Sequence, residues 1–249
     1  MRPPRPFLRP LLVWILGALA LALAVLLCFV LAPFLGGPGA FWAVAPRYIR
    51  GTAAAFGVRR RLEGWDSLPE DLRSGARPAV FIGNHTSQFD PPLLISTLPS
   101  RPVFVAKREL ARVPFLGWVI WLADFIFIDR AQRESALRSL ADAAVRIRGG
   151  QSLAAFPEGT RSRTGELLPF KKGVFALAFE AGVPVVPLAI HGGREILPRG
   201  TWRVRPGTYR MTVGAPLESA AFPDAEALRV AAEAALRGML EKGEGLRFS

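Results

Sequence analysis

Two histidines and one cysteine are all the soft ligand and strong nucleophile chemistry in this chain, so its reactivity turns on where they sit. His85 lies in Asn84-His85-Thr86-Ser87-Gln88-Phe89-Asp90, directly after the apolar run AVFIG. Five residues along a continuous helix would turn Asp90 ~140° away from His85, so the two side chains meet only in an irregular turn. If they meet, the carboxylate fixes the imidazole tautomer and stabilises the imidazolium formed when the other ring nitrogen takes a proton from an alcohol. That is a general-base dyad. The residue types alone also fit a plainer reading: Asp90 followed by Pro91 and Pro92 matches an N-cap ahead of proline at the first helical position, and His85 matches a hydrogen-bonded turn residue. Ser87 as a nucleophile ranks lower, because it lacks the G-x-S-x-G elbow.

A second reactive stretch is Phe156-Pro157-Glu158-Gly159-Thr160-Arg161-Ser162-Arg163, again after an apolar run. Glycine permits close backbone approach, and Thr160 and Arg161 can bind an oxyanion, which suits a phosphate ester. The competing reading is an exposed turn in which Glu158 and Arg161 form a surface ion pair of small energetic weight. Arg130, at the end of Phe127-Ile128-Asp129-Arg130, fits either phosphate binding or capping of a following helix, and Lys171 and Lys172 can add positive charge. Cys28 is isolated in an apolar segment and His191 has no carboxylate at a recognisable spacing. No zinc site or disulfide framework is expected from so few ligands, and His191 reads as structural.

Positioning these loops requires strands that end beneath them. Short β-rich runs cover Ala79–Gly83, Val103–Ala106, Phe125–Asp129, Ser152–Phe156 and Val183–Ile190. Between them, Arg133–Arg148 places Ala136, Leu137, Leu140, Ala144 and Ile147 on one helical face and stops at Gly149, and Pro223–Lys242 repeats the pattern with Leu228, Ala232, Ala235, Leu236 and Met239. The alternation predicts an α/β fold, a mostly parallel sheet flanked by helices, with chemistry at the loops leaving the C-terminal strand ends.

The first sixty residues have a different texture. Leu11 to Ala32 is free of charge, long enough at ~1.5 Å per residue to cross a ~30 Å hydrocarbon core. A cleaved signal peptide is the alternative, but Pro33, Phe34, Leu35 and Gly36 follow the run in place of a small-x-small site. Residues 33–46, PFLGGPGAFWAVAP, stay apolar while broken by proline and glycine, so the segment is either a single span or a helical hairpin dipping into one leaflet. Eight arginines precede the first acidic residue, Glu63, and flank the apolar stretch on both sides, a pattern expected at an anionic lipid surface. A net charge of +12 also raises nucleic acid as a partner, yet a nucleic-acid module gains nothing from the apolar run. We expect a membrane-anchoring segment over residues 1–60, a catalytic domain over residues 61–249, and no nucleic acid.

Four blocks in order, the H-x-x-x-x-D of NHTSQFD, then Lys107 to Leu110 with Pro114, Gly117 and Ile128 to Arg130, then FPEGTRS at 156–162, then VPVVPLAI at 183–190, resemble the PlsC-type 1-acyl-sn-glycerol-3-phosphate acyltransferase family. Thr86 stands where that family often has glutamine, and Asp124 near a place often held by glycine, departures that bear on acceptor choice.

The resemblance implies direct transfer of a fatty acyl group from a thioester, acyl-CoA or acyl carrier protein, to the free hydroxyl of lysophosphatidic acid, with no cofactor or metal. It implies His85 and Asp90 as the catalytic pair and Arg130, Glu158, Gly159, Thr160 and Arg161 as the glycerol-phosphate site. It further implies membrane lipids as surroundings and a catalytic domain on the cytoplasmic face of the inner membrane. Another lyso-lipid acceptor, such as lyso-ornithine lipid, and a non-catalytic protein that binds anionic lipid are the alternatives.

Overall fold

The computed structural model describes residues 8–128 and 133–245. In chain order its elements are α1 (Leu8–Ala55), β1 (Val58–Glu63), α2 (Glu70–Ser74), β2 (Val80–Gly83), α3 (Asp90–Thr97), β3 (Val103–Lys107), α4 (Leu116–Leu122) and β4 (Ile126–Ile128). There follow α5 (Arg133–Arg148), β5 (Leu153–Ala155), α6 (Gly173–Ala181), β6 (Val185–His191), α7 (Gly193–Ile196), β7 (Gly207–Val213) and α8 (Ala225–Gly245). The seven strands form one sheet in the order β1-β7-β6-β2-β5-β3-β4, with every pairing parallel except that of β6 with β7.

The central strands are apolar runs with no exposed face, β2 and β6 being buried at every position, as expected of strands covered by helices on both sides. Their partners use the predicted faces: Ala144 and Ile147 of α5 and Leu228, Ala232 and Leu236 of α8 are all buried. The sheet has two strands that the hydropathy pattern did not reveal. In β1 (VRRRLE) three arginines hide an edge strand whose burial alternates, and β7 (GTYRMTV) buries Tyr209, Met211 and Val213 while its polar residues stay partly open. Both run opposite to the other five strands.

Because β2, β3, β4, β5 and β6 are parallel, their C-terminal ends gather on one edge of the sheet. The three stretches singled out for their chemistry leave from that edge.

Between the two predicted arrangements of the N-terminal segment, the structure has a hairpin. Gly36 adopts φ 69, ψ 161, outside the helical region, a conformation that costs glycine little. The chain folds back there, so the Tyr48 hydroxyl donates to the Gly17 carbonyl, 31 positions earlier, at 3.0 Å. Small residues let the arms approach: Gly17 faces Thr52, and Cys28 is buried with Val44. The second arm packs on the domain through Phe41, Ala45 and Ala53. The first arm turns Leu19, Leu23, Leu26 and Phe34 outward, a contiguous apolar surface compatible with lipid.

Candidate active site

At the end of β2 the strand ladder is extended by a side chain. The Asn84 amide donates to the Ile190 carbonyl at 2.9 Å and accepts from the Ile190 N–H at 2.7 Å, so the next residue leaves the sheet from a fixed point. That residue is His85. Its ring Nδ1 lies 3.0 Å from Asp90 Oδ2 and its face stacks on Phe156 at a centroid distance of 4.3 Å. With the side chain 16% exposed, Nε2 is the nitrogen left for a substrate.

The turn between the pair is irregular, and Asp90 itself shapes it. Oδ2 accepts the N–H groups of Thr86 and Ser87, both at 2.7 Å, in addition to the imidazole. Asp90 is the first residue of α3, followed by Pro91 and Pro92, but its carboxylate reaches backward along the chain and makes no cap bond to the helix. The N-cap reading is therefore replaced by a carboxylate that builds the loop it serves. Ser87, the alternative nucleophile, is fully buried, with its hydroxyl donating to the Leu197 carbonyl and accepting from the Phe89 N–H. It is a structural pin.

Glu158 belongs to the same construction. It is buried, and its carboxylate oxygens accept from the His85 N–H at 2.6 Å and the Leu168 N–H at 3.0 Å. The His85 carbonyl in turn accepts from the Ser162 N–H at 2.8 Å, so the two loops are fastened on both sides of His85. Burial, opposed by the two backbone bonds to the carboxylate and aided by the nearby Asp90 charge, pushes the Glu158 carboxyl up to about 7. Glu158 and Arg161 form no surface ion pair: the acid faces inward and Arg161 is half-buried beside it in sequence. Thr160 is exposed.

Positive groups converge on the 156–166 loop. Gly159 has φ 69 and lies under the Lys171 side chain, whose Cε would be 2.9 Å from any added Cβ. The Arg194 guanidinium stands equally close to Gly165. Lys172 turns away to pair with Glu226 at 3.3 Å. Arg130 lies outside the described residues; β4 ends two positions before it, on the site edge.

Residue-type reasoning overlooked Asn84 and Gly193. A Cβ at Gly193 would overlap Asp90 Oδ1 and crowd Ser87 and Thr86 at 3.3 Å, so the start of α7 closes the back of the dyad. The only trace in the chain is the His191-Gly192-Gly193 run after a strand. His191 itself ends β6 opposite Arg210 and is buried against Gly243.

A family model described as Acyltransferase matches residues 59–191. A 1-acyl-sn-glycerol-3-phosphate acyltransferase of Limnanthes douglasii is 43% identical over 130 residues, 51% of this chain and 46% of that protein. One from Pseudomonas aeruginosa is 35% identical over 164 residues, 66% of this chain and 61% of the relative. These matches thus span about half the length of the curated relatives. The crystal structure of the 1-acyl-sn-glycerophosphate acyltransferase PlsC of Thermotoga maritima superposes with a TM-score of 0.72 at 26% identity, over 92% of this chain and 98% of that one.

Proposed function

The chain belongs to the acyltransferase family, and from that premise we propose that it moves a fatty acyl group from acyl-CoA or acyl carrier protein to the sn-2 hydroxyl of 1-acyl-sn-glycerol-3-phosphate, yielding phosphatidic acid for phospholipid biosynthesis. The observation that carries the proposal is the His85–Asp90 pair, in which Nδ1 is engaged at 3.0 Å and the substrate is left to Nε2. Nδ1–H donates to Asp90, and Nε2 accepts the proton of the acceptor hydroxyl as its oxygen attacks the thioester carbonyl. The C–S bond of the resulting tetrahedral adduct breaks, and the imidazolium returns its proton to the departing thiolate. Acyl transfer is direct, because Ser87 is buried and Cys28 lies in the hairpin.

Arg161, with Arg130, the Thr160 hydroxyl and the loop backbone at Gly159, receives the acceptor phosphate. Glu158 acts through the His85 backbone as a positioning residue, since its oxygens are occupied by N–H donors. Residues 1–60 seat the catalytic domain, 61–249, on the cytoplasmic face of the inner membrane, where thioester donors and the lipid acceptor meet.

The test is acyl transfer by the purified full chain in mixed micelles, with both donors offered against several lyso-lipids. Transfer to lysophosphatidic acid that disappears in His85→Ala is the expected result. A folded His85→Ala protein with parental turnover, or no transfer from either donor to this acceptor, overturns the reading.

A further inference from the structure

One short helix is built inside out. On one side of α4, Gly117 lies so close to Ala111 that it has no room for a side chain, and Ile120 joins the core. On the other side Trp118 is 52% and Trp121 69% exposed, one turn apart on the same face. Phe115 and Leu116 are exposed beside them, and the rings of Phe115 and Trp118 meet edge to face at 5.3 Å. Phe115 is held at φ 62, a left-handed backbone that non-glycine residues seldom adopt. Contiguous aromatic surface of this kind marks an interaction site on a folded protein.

We propose that α4 is a second bilayer contact, an interfacial aromatic foot separate from the N-terminal hairpin, that sets the tilt of the domain on the membrane. The proposal rests on the reading of the hairpin as lipid-embedded. Four observations select a lipid surface. The helix that carries the patch abuts the hairpin: Leu122, the last residue of α4, packs with Cys28 and Val44 between the two arms, and its carbonyl would be 2.5 Å from a Cβ at Gly37, next to the fold-back. Its composition is that of the headgroup boundary, where tryptophan places an apolar body and a polar N–H at once. Exposed Arg112 borders it on the N-terminal side, favouring anionic headgroups. One face of a seven-residue helix is also small against the ~800 Å² per partner of a stable protein interface. Because α4 leads from the site edge, where β3 ends, back to the start of β4, a foot here and a hairpin along the domain are two separate supports. Together they stop the site edge from rocking relative to the headgroups.

The test uses the full chain carrying Cys28→Ala, with one new cysteine labelled by a polarity-sensitive dye and the protein reconstituted in phosphatidylcholine–phosphatidylglycerol vesicles containing brominated lipid. Labels are placed by Trp121→Cys or Trp118→Cys on the foot, Leu23→Cys on the outer hairpin arm, and Val145→Cys on the exposed side of α5 as the aqueous control. The expected result is blue-shifted, strongly quenched emission at 121 and 118, comparable to position 23 and several-fold above position 145. Labels at 118 and 121 that behave like 145 while 23 is quenched overturn the foot and leave the hairpin standing. If 23 is also unquenched, the hairpin reading fails and the foot with it. Efficient crosslinking between two copies at position 121, without lipid quenching, assigns the patch to a second copy and overturns the proposal.

Discussion

Gly193→Ala adds one methyl group to a residue that takes no direct part in chemistry, yet it is expected to disable the enzyme. The added carbon overlaps Asp90 Oδ1, with Ser87 and Thr86 already at 3.3 Å on the flanks. A normal C···O contact requires ~3.3 Å or more, so the carboxylate must retreat by on the order of 1 Å. Asp90 is fully buried and Oδ2 holds three donors at 2.7, 2.7 and 3.0 Å. A retreat of that size takes those bonds beyond useful length. Misplacement of a catalytic group by about 1 Å costs ~10²-fold in rate, and weakening charge-assisted bonds costs about 1.5–3 kcal/mol each in stability. We therefore expect kcat to fall at least about 10²-fold, with a lowered Tm. Gly51→Ala is the control: nothing lies within 4 Å of the added carbon in that helix, and alanine there should be neutral or slightly stabilising. Steady-state transfer rates and thermal unfolding in the same detergent decide the matter. A Gly193→Ala protein with parental kcat and Tm would show that the back wall of the dyad is soft and that the argument from close approach is wrong.

Asp90→Asn keeps the shape of the side chain but removes the charge that favours imidazolium, and should lower kcat by on the order of 10³–10⁴; turnover near that of the parent refutes the dyad. Arg161→Lys should reduce kcat/KM for the acceptor roughly ten- to a hundredfold with the donor constants little changed, and an effect of a few-fold on both substrates would remove Arg161 from the phosphate site. Glu158→Gln opposes an amide N–H to a backbone N–H, so loss of both stability and kcat is expected, with KM for each substrate preserved; a selective rise in acceptor KM would instead make Glu158 a substrate contact. The Glu158 carboxyl also titrates near 7 when folded against an ordinary value of 4.5. It therefore contributes stability that is present below the unfolded value and lost as pH rises through about 7. Melting curves at about pH 5 and about pH 8 should consequently differ less for Glu158→Gln than for the parent.

The meeting of His85 with Asp90 was legible because the pair is local: one loop, a fixed spacing and a strand just before it. Even the demand for an irregular turn followed from helical geometry, though not its cause, the carboxylate bonds to Thr86 and Ser87. Glu158 was the harder residue, since an acid in a glycine-containing loop reads as exposed, and only the partners brought by β2 and the 168 region show that it faces inward. Asn84 and Gly193 act across more than a hundred positions, one through an amide and one through the absence of a side chain, and neither leaves a local pattern. The sheet was visible where strands are buried on both faces. It was missed at β1, where arginines line an edge that hydropathy reads as polar.

The pairing of β1 with β7 also has a consequence for biogenesis. Thr212 and Glu63 face each other across 149 positions of chain, so the strand next to the hairpin cannot find its partner until that whole stretch has been made. At ~5–20 residues per second the interval is roughly 7–30 s. Throughout it the hairpin, which precedes β1 in the chain, is already made while β1 waits as an unpaired edge. The row of arginines on that strand, Arg59 to Arg61, then serves as a gatekeeper that discourages pairing with other nascent chains. Formation of the hairpin is thereby ordered ahead of closure of the sheet.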